Sequence, residues 1–291
     1  MLEIRNVYKS YDKTEVLHDI SFEVQENSIH ALIGENNAGK TTLLKILAGI
    51  YRADKGSILY DGELVFDNPA VKQKVAYVAD QGAFLRGYSV RRIIKLYQTM
   101  YPSFSLDLFE QMNRNLSVDT GSIVQTLSKG TTAKLAFMLA LSCGGDYLLL
   151  DEPFSGVDAE SRRYMMDTLI RETEKRELSV LISSHDLGEL EKVCDTITVL
   201  KAGRVLKTAD TDQVLNTFVK VTAAFEGEAP KDMEDLKGVI EISHVGNIYT
   251  VISDMDSEKT EKVLKKYGAT QVERIPIGLE EASLLLDRYA E

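Results

Sequence analysis

The chain has 291 residues, more than one typical domain and fewer than three, so a main domain of about 200 residues and a smaller second one are expected. Its 44% apolar and 27% charged residues are ordinary for a globular protein, and no apolar run approaches the roughly 18 residues a bilayer span requires. A net charge of −11 argues against binding nucleic acid through a broad basic face, so none is expected as a partner. The start, "MLEIRNVYKSYDK", lacks the basic segment and apolar stretch of a secretory signal, which leads to an expectation of a cytoplasmic location. Cys143 and Cys194 sit in apolar surroundings without metal-ligand spacing and read as buried, reduced thiols.

In chain order, the first 30 residues alternate as strands do, with Ile20, Phe22 and Val24 on one face and Ser21, Glu23 and Gln25 on the other. "SILYDGELV" adds a hairpin turned at Asp61-Gly62, giving a small antiparallel layer. From about residue 82 to 143, "VRRIIKLYQTM" and "TTAKLAFMLALS" carry apolar residues at spacings of three and four, which marks an inserted helical subdomain. From Tyr147 strands and helices alternate: "YLLL", a helix over 159–177, "SVLISS", a short helix over 186–193, then "TITVL" and "RVLK" around Gly203. That order implies helical crossovers and a parallel sheet, hence an α/β fold. Beyond about residue 213 the phosphate-site motifs stop and "EGEAPKD" marks a change of composition, so the domains are expected at 1–212 and 213–291. The second domain reads strand (219–225), short helix (233–236), strands (239–243 and 249–252), helix (257–267), strand (270–275) and a last helix (279–289), the order of a small α+β ferredoxin-like unit. Its acids Asp254, Asp256 and Glu258 read as helix capping rather than as a metal site.

"GENNAGKT", from Gly34 to Thr41, satisfies the phosphate-loop pattern G-x-x-x-x-G-K-[ST], with a strand before it and a helix after. In that setting the backbone N–H groups of residues 36–41 and the helix N-terminus face phosphate, Lys40 reaches the β and γ oxygens, and Thr41 offers a hydroxyl to Mg²⁺. Gly34, Asn36, Asn37, Ala38, Gly39, Lys40, Thr41 and Thr42 are therefore the candidate nucleotide-binding residues, with Lys40 also a catalytic candidate. "YLLLDEP" is a buried strand whose end delivers Asp151 toward the metal and Glu152 toward the γ-phosphate, where a carboxylate can orient an attacking water. Such an acid pair alone would read as a solvated strand end; beside a phosphate loop it reads as chemistry.

Over residues 1 to about 210 the chain resembles the nucleotide-binding subunit of an ATP-binding-cassette (ABC) transporter, because that family's motifs occur in its order. The signature, Leu-Ser-Gly-Gly-Gln in the family, is "LSKGT" here, and the resemblance implies that Ser128, Gly130 and Thr131 meet ATP held by a second subunit. A plain helix cap by Ser128 is compatible with that role. "SGVD" resembles the D-loop and implies that Asp158 lies at the dimer seam; "SSHD" resembles the switch strand and implies that His185 contacts the γ-phosphate as a catalytic residue. Tyr11 falls where the family stacks an aromatic ring on adenine. In "AYVADQGAF" either Asp80 or Gln81 takes the position of the metal-contacting glutamine.

Three departures stand out. Asn37 replaces a common glycine, and asparagine tolerates left-handed backbone angles. Lys129 and Thr131 alter the signature in the manner of the bacterial type-2 exporter branch, whose accessory domain the C-terminal unit also resembles through "GLEEASLLL". The resemblance implies an ATP- and Mg²⁺-dependent motor, a homodimer or heterodimer of ATPase subunits, separate transmembrane permease subunits, and peripheral attachment to the cytoplasmic face of the membrane. The alternatives are a soluble family member acting on ribosomes or DNA, against which one cassette and the lack of sustained heptads weigh, and an ATP-gated regulatory clamp of low turnover.

Overall fold

Alternating burial builds the first layer. Strand β1 (Leu2–Tyr11) pairs antiparallel with β2 (Thr14–Val24), placing Leu2 opposite Val24, Ile4 opposite Phe22 and Val7 opposite Ile20. All six are buried in one core, while Ser21, Glu23 and Gln25 face solvent. In this computed structural model, which describes residues 1–79, 87–184, 187–226, 233, 236–279, 281–283 and 285, the sheet continues through β4 (Lys55–Tyr60) and β5 (Glu63–Leu64) in the order β2-β1-β4-β5. Asp61 and Gly62, with φ of 53° and 81°, make the left-handed two-residue turn that matches the twist of a hairpin.

The strands of the second sheet are β3 (Ile29–Ile33), β6 (Val75–Val78), β7 (Tyr147–Asp151), β8 (Ser179–Ser184), β9 (Thr196–Lys201) and β10 (Arg204–Asp210). They lie in the order β10-β9-β3-β8-β7-β6. Strands β3, β7 and β8 are buried along their whole length, as parallel strands covered on both faces are, and β6, β7, β8, β3 and β9 pair parallel. Helix α1 (Lys40–Leu47) follows β3; α6 (Ala159–Arg176) links β7 to β8; the one-turn α7 (Leu187–Leu190) precedes β9. The sequence reading passes over α2 (Pro69–Lys74) and β6. The reason is local: α2 runs into β6 at Val75 with no glycine to punctuate the change, and β6 is a four-residue edge strand.

Helices α3 (Val90–Met100), α4 (Leu106–Leu116) and α5 (Lys129–Ser142) form the helical region, with no strand among the described residues 87–143. From Leu135 to Ser142, α5 is buried on every side, as expected of a helix that is apolar all round. Cys143 and Cys194 are free and buried. No helix of the described residues is long and apolar enough to cross a membrane.

The chain folds as two units, Met1–Thr208 and Ala209–Glu291, which puts the boundary a few residues before the 212 expected from the sequence. The second unit carries α8 (Thr211–Thr217), β11 (Val219–Phe225), β12 (Val239–Val245), β13 (Ile248–Ser253), α9 (Ser257–Lys266) and β14 (Ala269–Ile275). Its sheet runs β12-β13-β11-β14 with every neighbour antiparallel, the strand order of a ferredoxin-like unit. Val221, Ala223, Phe225, Tyr249, Val251 and Leu264 form its core. The Asp256 carboxylate accepts from Lys259 N at 2.8 Å and so caps α9. Half of the short helix expected at 233–236 and most of the last helix at 279–289 lie outside the described residues.

His30 is the second residue of β3 and is 1% exposed. Its ring shares hydrogen bonds with Thr198 Oγ1 at 2.8 Å and Thr196 Oγ1 at 2.7 Å, and stacks on Phe22. One donor and one acceptor satisfy the neutral ring, and burial pushes its pKa down to about 4. The depressed value sets the sign: the contribution is fully present above the unfolded value and drains away as pH falls toward 4. We therefore expect stability to fall by about 3 kcal/mol between pH 6.5 and 4 on this account alone. Urea midpoints across that range should fall less steeply for His30→Gln than for wild type; equal slopes would remove His30 as the cause.

Candidate functional site

Strand β3 ends at Ile33 and releases the chain into a loop with no room for side chains at two points. A Cβ on Gly34 would stand 2.3 Å from Leu200 O; one on Gly39, at φ 105°, would stand 2.7 Å from Leu17 Cδ2. Asn37 takes φ 69°, the left-handed conformation its side chain tolerates. Ala38 is buried; its N–H donates to Glu35 O at 3.1 Å and its carbonyl accepts from Gly203 N at 3.1 Å. Gly39 is the N-cap of α1 and has no side chain to cap it, so the first helical turn gains no side-chain bond from that position. Lys40 is 7% exposed; its ammonium donates to Gly34 O at 2.6 Å and Glu35 O at 3.2 Å and stands 3.9 Å from a Glu152 carboxylate oxygen. Burial lowers its pKa, and Glu152 and Asp151 oppose that shift. A desolvated cation beside an uncapped helix N-terminus fits a polyphosphate.

Strand β7 ends at Asp151, which is 1% exposed. One carboxylate oxygen accepts from Ser183 Oγ at 2.8 Å, and the other from Tyr77 OH at 3.4 Å, so neighbouring strands fix its orientation. Glu152 follows at φ 48°, a left-handed conformation that is uncommon for a residue with a Cβ and is characteristic of functional sites. Its N–H donates to Ser183 O at 3.2 Å. With Thr41, Asp151 provides hard oxygen donors of the kind Mg²⁺ takes.

The loop opens on a cleft of about 1020 Å³ that brings together Tyr11, Asn36, Asn37, Gly39, Lys40, Thr41, Thr42 and Glu152. Sequence reasoning missed the rest of its lining: Thr14, Glu15, Val16, His18, Glu35, Ala202 and Gly203. His18 N donates to Gly203 O at 2.7 Å, fastening the start of β2 to the turn between β9 and β10. Gly203 was the available signal: at φ 75°, its Cβ would lie 2.2 Å from Val16 O. Tyr11 is 41% exposed; it meets Tyr51 edge to face and carries the Lys9 ammonium 5.7 Å from its ring centre, and the exposed remainder of the ring is available for stacking. Asp80, Gln81 and His185 lie outside the described residues.

A second candidate surface does not line that cleft. Ser128 caps α5, its Oγ accepting from Thr131 N at 3.1 Å. A Cβ on Gly130 would stand 2.2 Å from Gly156 O, so glycine is required where α5 meets the loop between β7 and α6. Asp158 caps α6 by accepting from Ser161 N at 2.9 Å, and accepts from Lys134 Nζ at 2.7 Å; those bonds hold its carboxyl well below the usual range.

A phosphate loop between a buried parallel strand and a helix, with a strand-end Asp-Glu pair beside it, defines a P-loop nucleotide-binding protein. The family model described as ABC transporter matches residues 17–155. The ABC transporter ATP-binding protein YtrB of Bacillus subtilis is 28% identical over 97% of this chain and 96% of its own length. The lipopolysaccharide export system ATP-binding protein LptB of Haemophilus influenzae is 30% identical over 74% of this chain and 93% of its own. A solved structure described as the ATP binding subunit of an ABC transporter superposes with a TM-score of 0.68 at 25% identity, covering 74% of this chain and 91% of that one. The chain belongs to the ABC transporter family and is an ATPase of that family.

Proposed function

We propose that this chain is the motor subunit of a membrane exporter, acting on separate transmembrane permease subunits at the cytoplasmic face as a head-to-tail dimer of ATPase subunits. One observation carries the reading: Ser128, Gly130, Thr131 and Asp158 share a chain with the phosphate loop but do not line its cleft. A second copy, turned to face the first, would complete each site. In that arrangement Tyr11 stacks on the base, and the loop N–H groups of Asn36 to Thr42 and the Lys40 ammonium neutralise phosphate oxygens. Glu152 orients water and accepts its proton, and His185 donates to the phosphate. Thr41, Asp151 and either Asp80 or Gln81 would hold Mg²⁺, which when bound neutralises charge on the phosphate oxygens. Ser128 and the Gly130 N–H contact the nucleotide of the facing subunit. Export is supported by the altered signature at Lys129 and Thr131.

Purification from detergent-solubilised cells tests the partner class. The chain should bring down a stoichiometric polytopic membrane protein whose presence raises its ATPase rate. Ribosomal material in its place would contradict the proposal in favour of a soluble function, and recovery of a homodimer with negligible turnover would contradict it in favour of a regulatory clamp.

A further inference from the structure

Lys129 stands where the family signature has glycine, and the structure gives its side chain a partner. Its ammonium donates to Ser155 Oγ at 2.8 Å, and its aliphatic stem lies against Gly156, where a Cβ would come within 3.5 Å of Lys129 Cδ. Five residues further along α5, Lys134 Nζ donates to Asp158 at 2.7 Å, with the lysine side chain 15% exposed. Between these bonds, Gly130 packs so closely on Gly156 that no side chain fits. Three successive contacts therefore join the start of α5 to the segment Ser155–Asp158. That segment is itself continuous with Glu152, whose carbonyl accepts from Ser155 N at 3.2 Å.

We propose that Lys129, with Lys134, is a positioning residue that clamps the 155–158 loop onto the helix start carrying Ser128 and Gly130, so that both segments meet a second copy of this chain as one preformed surface. The inference rests on the head-to-tail reading above and adds to it what holds the seam in shape. The two ammonium groups bond to Ser155 and Asp158. Their effect is preorganisation: a loop already ordered before association need not be ordered during it. Lysine at 129 thus replaces the flexibility of glycine with a tether, its ammonium bonded to Ser155.

The test is a double-mutant cycle on Lys129 and Ser155, neither of which belongs to the nucleotide-binding machinery. Amide hydrogen exchange of residues 155–158 in the nucleotide-free monomer should speed up in Lys129→Met and in Ser155→Ala, and the double variant should be no faster than either single one. Lys129→Arg should restore slow exchange. In the Glu152→Gln background, each single variant should raise the protein concentration needed for ATP-driven dimerisation by about three- to tenfold, as loss of a charge-assisted surface bond would, with the ATP affinity of the monomer unchanged. Unchanged exchange in Lys129→Met, or additive effects in the double variant, would overturn the clamp. A dimerisation defect in Lys129→Met that Ser155→Ala does not share would also overturn it, by making Lys129 a phosphate ligand. The exchange measurement uses monomer, so it decides on the clamp even if Ser128→Arg shows the head-to-tail reading to be wrong.

Discussion

Glu152→Gln is expected to cut ATP turnover by at least about two orders of magnitude while leaving ATP binding intact. Glutamine matches glutamate in size and hydrogen-bonding reach, so the cleft keeps its shape; it cannot accept a proton from water. The backbone at this position is already held at φ 48°, between a buried strand and the turn to Ser155, and neither side chain changes that constraint. The Lys40 ammonium, 3.9 Å from the carboxylate, loses an opposing charge. ATP affinity should therefore stay level or rise. If two copies close around ATP, a variant that cannot hydrolyse it will accumulate as a dimer. Single-turnover hydrolysis separates the chemical step from binding, and an unchanged rate in that measurement would remove Glu152 from the role of base.

The parts of the site that lay in one stretch of sequence were legible. Gly34 to Thr41 is read as a phosphate loop because its spacing reflects backbone geometry that only glycine can meet at Gly34 and Gly39. Asp151 and Glu152 were legible because four buried residues precede them. The far wall of the cleft was not. Val16, His18 and Gly203 meet across a turn between two late strands and the start of an early one, and no local pattern encodes a contact between residues so distant in sequence. The same limit applies to the fold. The Asp61-Gly62 hairpin announces itself through turn chemistry, whereas β6 is defined by its pairing with β7, which propensity over four residues does not report. Lys129 was visible as a departure from the signature, but its partner Ser155 became evident only when α5 and the β7–α6 loop were placed side by side.

The second large effect concerns the proposed seam between two copies. Ser128 is exposed, and its hydroxyl caps α5 through Thr131 N; a serine cap contributes about 1 kcal/mol, so its loss alone leaves the fold intact. Ser128→Arg places a long side chain at the start of the helix. Each monomer should still bind ATP through residues 34–42, which belong to the separate cleft. Association around ATP should fail. Lys40→Ala should fail for the complementary reason, because the charge-assisted contacts to phosphate are gone from an otherwise sound partner surface. Mixing the two proteins pairs an intact phosphate loop with an intact signature at one of the two sites, and partial recovery of dimer is expected. Light scattering of Ser128→Arg in the Glu152→Gln background, with saturating ATP and Mg²⁺, is the most direct measurement: the head-to-tail arrangement predicts a monomer at concentrations where Glu152→Gln alone is a dimer, and a dimer in both proteins would contradict it.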